Sequence, residues 1–116
     1  MSLAGRVVLV TGGNGGIGLG MAEACARAGA DVAIWGTNTD KNASAEARLK
    51  ESGRQVVALQ CDVGDEAAVE AAFAETVRRL GKVDTCFANA GVMRLSPFVD
   101  QTLEGWRAIT RVNLDG

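Results

Sequence analysis

The sequence predicts an α/β domain in which a parallel sheet is covered on both faces by helices. Three observations predict it. Four short apolar runs, at residues 7–10, 32–35, 56–59 and 83–88, are separated by segments of helical composition. The runs are continuously apolar rather than alternating, as strands buried on both faces require. Strand and helix then alternate along the whole chain, which is the order that builds parallel sheets.

Each element has its own signals. Val7-Val8-Leu9-Val10 is β-branched and runs into a glycine-rich stretch. Residues 18–27 follow as a helix whose Leu19, Ala22 and Ala26 give one closely packable face, stopped by Gly29. The second strand, residues 32–35, stops at Gly36. Residues 40–52 are charged and alanine-rich, helical by propensity, and Gly53 ends them. A third strand occupies residues 56–59. Asp65 is an N-cap, after which Val69, Phe73, Val77 and Leu80 recur at helical spacing until Gly81. Residues 83–88 form the fourth strand, and Thr102 caps a helix that runs on towards Gly116. No internal repeat or linker divides the chain, so residues 1–116 are read as one domain.

Right-handed crossovers leave few ways to wind such units. The favoured one is a Rossmann-type, doubly wound, three-layer α/β/α arrangement with strand order 3-2-1-4. Its fourth strand lies at an edge that the helices only partly cover. The chain therefore reads as the front half of a larger sheet, cut after the fourth strand and part of the following helix. Alone, such an edge is expected to self-associate.

Composition narrows the function. Apolar residues are 47% and charged residues 22%, which excludes wholesale disorder. A net charge of −2 without a basic run leaves no footprint for nucleic acid or an anionic membrane. No stretch approaches the roughly 18 apolar residues of a membrane span, and no signal peptide is recognisable. Three widely spaced cysteines, Cys25, Cys61 and Cys86, without any His predict neither a disulfide framework nor a metal site. They read as small apolar fillers in a cytoplasmic protein. His and Tyr are both absent, which removes two common proton-transfer groups.

Glycine is the outlier, at 15 of 116 residues, five of them within positions 12–18. Thr11-Gly12-Gly13-Asn14-Gly15-Gly16-Ile17-Gly18 joins the first strand to the first helix. A sharp turn there wants positive φ, and a phosphate must approach the backbone without meeting a Cβ. The helix N-terminus then offers its unpaired N–H groups and a partial positive charge to an anion. A phosphate P-loop is excluded, because Leu19 and Gly20 stand where its Lys and Ser/Thr belong. Gly16-Ile17-Gly18-Leu19-Gly20 also resembles the loop of S-adenosylmethionine-dependent methyltransferases. The acids expected before that loop and after the second strand are missing, so that reading is a minor alternative.

With further residues added, the chain resembles the short-chain dehydrogenase/reductase family over its whole length. Thr11, Gly12, Gly16 and Gly18 match the T-G-x-x-x-G-x-G turn of that family. Asp62-Val63 matches the pair placed against the adenine, Asn89-Ala90-Gly91 the N-A-G motif lining the cofactor, and Asn113 the helix-borne Asn. The resemblance implies a dinucleotide site in which Gly12, Gly16, Ile17 and Gly18 surround the pyrophosphate. It implies for Asn113 a place in a proton relay, and for the parent enzyme an oligomer acting on a small carbonyl or secondary alcohol. Plain structural roles stand beside these: Asp62 as a turn cap, Asn89 as a turn former, Arg78-Arg79 as a solvated helix end.

The family's catalytic Ser and Tyr-x-x-x-Lys find no match. The chain has no Tyr, and its lysines are Lys41, Lys50 and Lys82. Turnover by these 116 residues alone is therefore not expected. The cofactor is NAD or NADP. An acid some 20 residues after the glycines would favour NAD; Gly36, Thr37 and Asn38 stand there instead. Thr37, Asn38 and Lys41 together suit a 2′-phosphate and tip the balance to NADP. A non-enzymatic dinucleotide-binding or interaction module is the alternative function.

Overall fold

The computed structural model describes residues 2–88 and the backbone of residues 91–94. Its elements are β1 (Val7–Thr11), α1 (Gly16–Arg27), β2 (Asp31–Gly36), α2 (Thr39–Lys50), β3 (Val56–Gln60), α3 (Glu66–Leu80), β4 (Thr85–Ala88) and β5 (Gly91–Arg94). The sheet order is β3-β2-β1-β4-β5. The first four strands have the predicted 3-2-1-4 order, and all their pairings are parallel.

Side chains along the inner strands alternate between two apolar layers, because successive residues of a strand face opposite ways. Val8 and Val10 of β1 pack with Val32 and Ile34 of β2, Ala22 and Cys25 of α1, and Ala45 and Leu49 of α2. Leu9, Ala33 and Trp35 face the other way, onto Ala72 and Phe73 of α3 with Val57, Val83 and Cys86. The continuous apolar runs thus serve a sheet sandwiched between α1 and α2 on one side and α3 on the other. All three cysteines are free and buried.

Boundaries shift for local reasons. α1 starts two residues earlier than the sequence suggests, because Gly16 and Ile17 already lie in its first turn. α2 is capped by Asn38, whose side chain accepts from the Lys41 N–H, and it ends at Lys50. The fourth strand begins at Thr85 rather than at residue 83. Just before it, Asp84 bonds Val7 twice: its N–H donates to the Val7 carbonyl and its carboxylate accepts from the Val7 N–H at 2.8 Å. β5 is an addition. Gly91–Arg94 runs antiparallel to β4, with Ala88 opposite Gly91. A connection of only two residues allows no parallel crossover, so this return must be antiparallel. The helix expected after Thr102 lies outside the described residues.

Candidate functional site

The strand order places the carboxyl ends of β3, β2 and β1 side by side, with Thr11 opposite Trp35 and Gly36 opposite Gln60. The glycine-rich turn, residues 36–41 and residues 61–63 therefore share one edge of the sheet. In open α/β sheets this edge is where ligands bind.

At the turn, the Gly12 N–H still donates to the Trp35 carbonyl at 2.8 Å, and Gly12 takes φ +71° to leave the strand. A Cβ on Gly18 would overlap the Gly12 carbonyl, so α1 sits directly against the turn. Its N-cap, Gly15, is extended, with no side-chain cap, and no acid occupies the first turn. The other helices differ. Asn38 caps α2 and Asp65 caps α3, and each carries an acid in its first turn, Asp40 and Glu66. The first-turn N–H groups of α1, which no helix can satisfy internally, are thus offered to an anion.

Two large apolar side chains are exposed among the described residues: Ile17 at 84% and Val63 at 37%. Ile17 follows β1 and Val63 follows β3, so both stand at the edge assigned to the ligand. An apolar residue that a globular chain leaves this open on a binding edge fits a partly apolar ligand.

Thr37, Asn38 and Lys41 are exposed at the start of α2. Asn38 Oδ1 is engaged as the cap, accepting from the Lys41 N–H at 2.9 Å, and the Thr37 carbonyl accepts from Gln60 Nε2 at 3.2 Å. Asp62 Oδ1 accepts from the Gly64 N–H at 2.9 Å, so the carboxylate does close a turn. Burial pushes the neighbouring Cys61 thiol up, with Asp62 and Asp65 adding to the effect. Gly91 begins β5. Asn89, Ala90 and Asn113 lie outside the described residues. Among the described residues, no three His, Cys, Asp or Glu side chains gather to hold a metal.

Sequence reasoning missed Asn42. It is 5% exposed, on the apolar face of α2 with Ala45 and Leu49. Its Nδ2 donates to the Gly36 and Leu59 carbonyls at 2.9 and 3.3 Å, and its Oδ1 accepts from Asn14 Nδ2 at 2.9 Å. Its spacing of three and seven residues from Ala45 and Leu49 was the available signal.

The arrangement can do one thing well: hold an elongated anion across the ends of β1, β2 and β3. Comparison with known proteins identifies the family. A family model described as short chain dehydrogenase matches residues 6–116. A sorbose reductase of Candida albicans is 40% identical over 117 residues, covering 99% of this chain and 42% of that protein. An NADP-dependent mannitol dehydrogenase of Alternaria alternata is 38% identical over 121 residues, covering 99% and 45%. Among solved structures, NAD+-bound xylitol dehydrogenase superposes with a TM-score of 0.73 at 37% identity, over 75% of this chain and 34% of that one. The chain spans less than half the length of these three proteins. Nothing in them supports the methyltransferase or the interaction-module reading. With its turn, its strand order and a family match over nearly every residue, the chain belongs to the short-chain dehydrogenase/reductase family.

Proposed function

We propose that these 116 residues bind the nicotinamide dinucleotide of an oxidoreductase that interconverts a carbonyl and a secondary alcohol. The uncapped N-terminus of α1, pressed against a turn with no room for a Cβ at Gly18, carries this reading. The residues present fit the cofactor. Gly12, Gly16, Ile17 and Gly18 line the place for the pyrophosphate, and Asp62 and Val63 that for the adenine. Asn89, Ala90 and Gly91 follow β4 and complete the ribose side by family resemblance. When bound, the cofactor supplies or accepts a hydride.

The choice of NADP over NAD rests on the end of β2. No acid stands there to accept from a ribose 2′-hydroxyl. Thr37 offers a hydroxyl, Asn38 keeps its amide N–H2 while its oxygen caps α2, and Lys41 brings a positive charge. An NADP-dependent relative and an NAD+-bound one are both at hand, so the family alone does not decide.

Proton transfer is another matter. Lys50 pairs with Glu46 and Lys82 with Asp84, which leaves Lys41 at the dinucleotide edge. With no Tyr or His, these residues bind and orient without supplying the acid and base. Asn113 keeps its proposed relay role. Titration calorimetry with NADP, NAD and S-adenosylmethionine tests the reading. NADP is expected to bind most tightly, with no oxidation of NADPH by a panel of carbonyls. Binding of neither dinucleotide overturns the proposal, and turnover overturns the claim about the missing acid and base.

A further inference from the structure

We infer that Asn42 is a positioning residue for the glycine-rich turn, acting through Asn14 to hold the turn in the shape that receives a pyrophosphate. The inference rests on the dinucleotide reading above and assigns a residue outside the turn to it.

Asn42 stands inside a helix, where its side chain lowers helical propensity. It is nonetheless 5% exposed, and both ends of its amide are engaged. Carbonyl oxygens only accept, so the side of the amide facing Gly36 and Leu59 must be Nδ2. Its oxygen therefore faces the turn, and Asn14 must donate to it. One side chain on α2 thus joins the ends of β2 and β3 to the middle of the turn.

Gly36 shows how closely the pair is fitted. A Cβ on Gly36 would overlap Asn14 Nδ2 and come within 2.6 Å of Asn42 Oδ1. The amide pair fills the space above the last residue of β2. A carboxylate side chain at position 36 and this amide bridge exclude each other. A neutral tether therefore stands where an acid would have its first place on the strand end. Loss of the Asn14–Asn42 bond alone, as in Asn14→Ala, should release the turn without altering any group that touches the adenine.

The test is a double-variant cycle on the 116-residue protein, with Asn14→Ala, Asn42→Ala and both together. The dissociation constants of ADP-ribose, which carries a pyrophosphate, and of adenosine, which does not, are measured by calorimetry and by ligand-observed NMR. Each single variant is expected to weaken ADP-ribose about 5- to 10-fold, as loss of one hydrogen bond allows. The double variant should lose the same factor rather than the product, and adenosine should bind unchanged. Multiplicative losses, equal losses for both ligands, or no loss in a folded Asn42→Ala variant would each overturn the inference. Should Asn42→Ala not fold, Asn14→Ala decides alone. It leaves the Gly36 and Leu59 bonds intact, so a loss confined to ADP-ribose supports the inference and any other result overturns it. A parent protein that binds neither ligand instead removes the dinucleotide reading on which it rests.

Discussion

Two helix N-termini on the same edge of the sheet are built to opposite rules. At α3 the chain satisfies itself: Asp65 accepts from the Ala68 N–H at 3.2 Å, and Glu66 adds negative charge to the first turn. At α1 the chain withholds both. Gly15 has no side chain to cap with, and the residues that follow are Gly16, Ile17 and Gly18. Glycine in place of a side-chain cap costs only a few tenths of a kcal/mol, and the absence of an acid in the first turn adds roughly 0.3–1 kcal/mol to that cost. The difference leaves the first turn of α1 open, as the proposed cofactor would require, whereas α3 is capped by its own residues.

The largest expected effect comes from closing the gap between α1 and its turn. Gly18→Ala sets a methyl against the Gly12 carbonyl, and helix and turn must separate. Overpacking of this kind costs about 1–3 kcal/mol of stability. The greater loss falls on binding, because the N–H groups no longer converge. Calorimetry should find no dinucleotide binding, while thermal denaturation still shows a cooperative, lowered transition. Binding at the parent affinity would break the comparison.

Making α1 resemble α3 should separate stability from binding. Gly15 has φ −171° and open space around a Cβ, so Gly15→Asp meets no obstacle. The new carboxylate caps α1 and sets a negative charge at its N-terminus, together adding roughly 0.5–1 kcal/mol and raising Tm by roughly 2–4 °C. The same charge occupies the anion's place, and dinucleotide affinity should fall about tenfold or more, some 1.4 kcal/mol. A rise in both quantities would show that α1 is merely a poorly capped helix. The mirror experiment is Asp65→Ala. It should cost about 1 kcal/mol of stability and leave dinucleotide affinity unchanged.

The contrast between the two termini was readable in the sequence because each depends on residues within a few positions. The glycine turn, the Asp65 cap and the apolar runs are all local patterns. What escaped depends on residues brought together by the sheet. Asn42 gains its partners Asn14 and Leu59 across 28 and 17 residues, only once the turn and β3 lie beside α2. In sequence it is one more polar residue in a charged helix. β5 escaped because its partner strand is joined through Asn89-Ala90, which lacks the glycine of a typical tight hairpin. Asp62 makes the turn bond that the sequence offers beside its ligand role, and Asn38, assigned from sequence to the ligand alone, caps α2 as a short polar side chain does beside a backbone N–H.

The smallest effect extends the comparison from the open edge to the closed interior. Cys86 on β4 lies at 0% exposure between Leu9, Trp35 and Phe73 of the α3-side layer. Burial pushes its thiol from 9.0 up to about 12. Below pH 9 the thiol is protonated in both folded and unfolded chains, and its contribution is fully present. Between pH 9 and 12 the unfolded chain releases the proton while the folded chain keeps it. Stability must therefore fall progressively across that interval. Cys86→Ala lowers stability at every pH through the lost packing, but it removes this slope. Denaturant midpoints measured from pH 8 to 11 should decline less steeply in the variant than in the parent. Parallel declines would mean that the interior beside β4 admits water, and that the sheet is as open at its centre as at its binding edge.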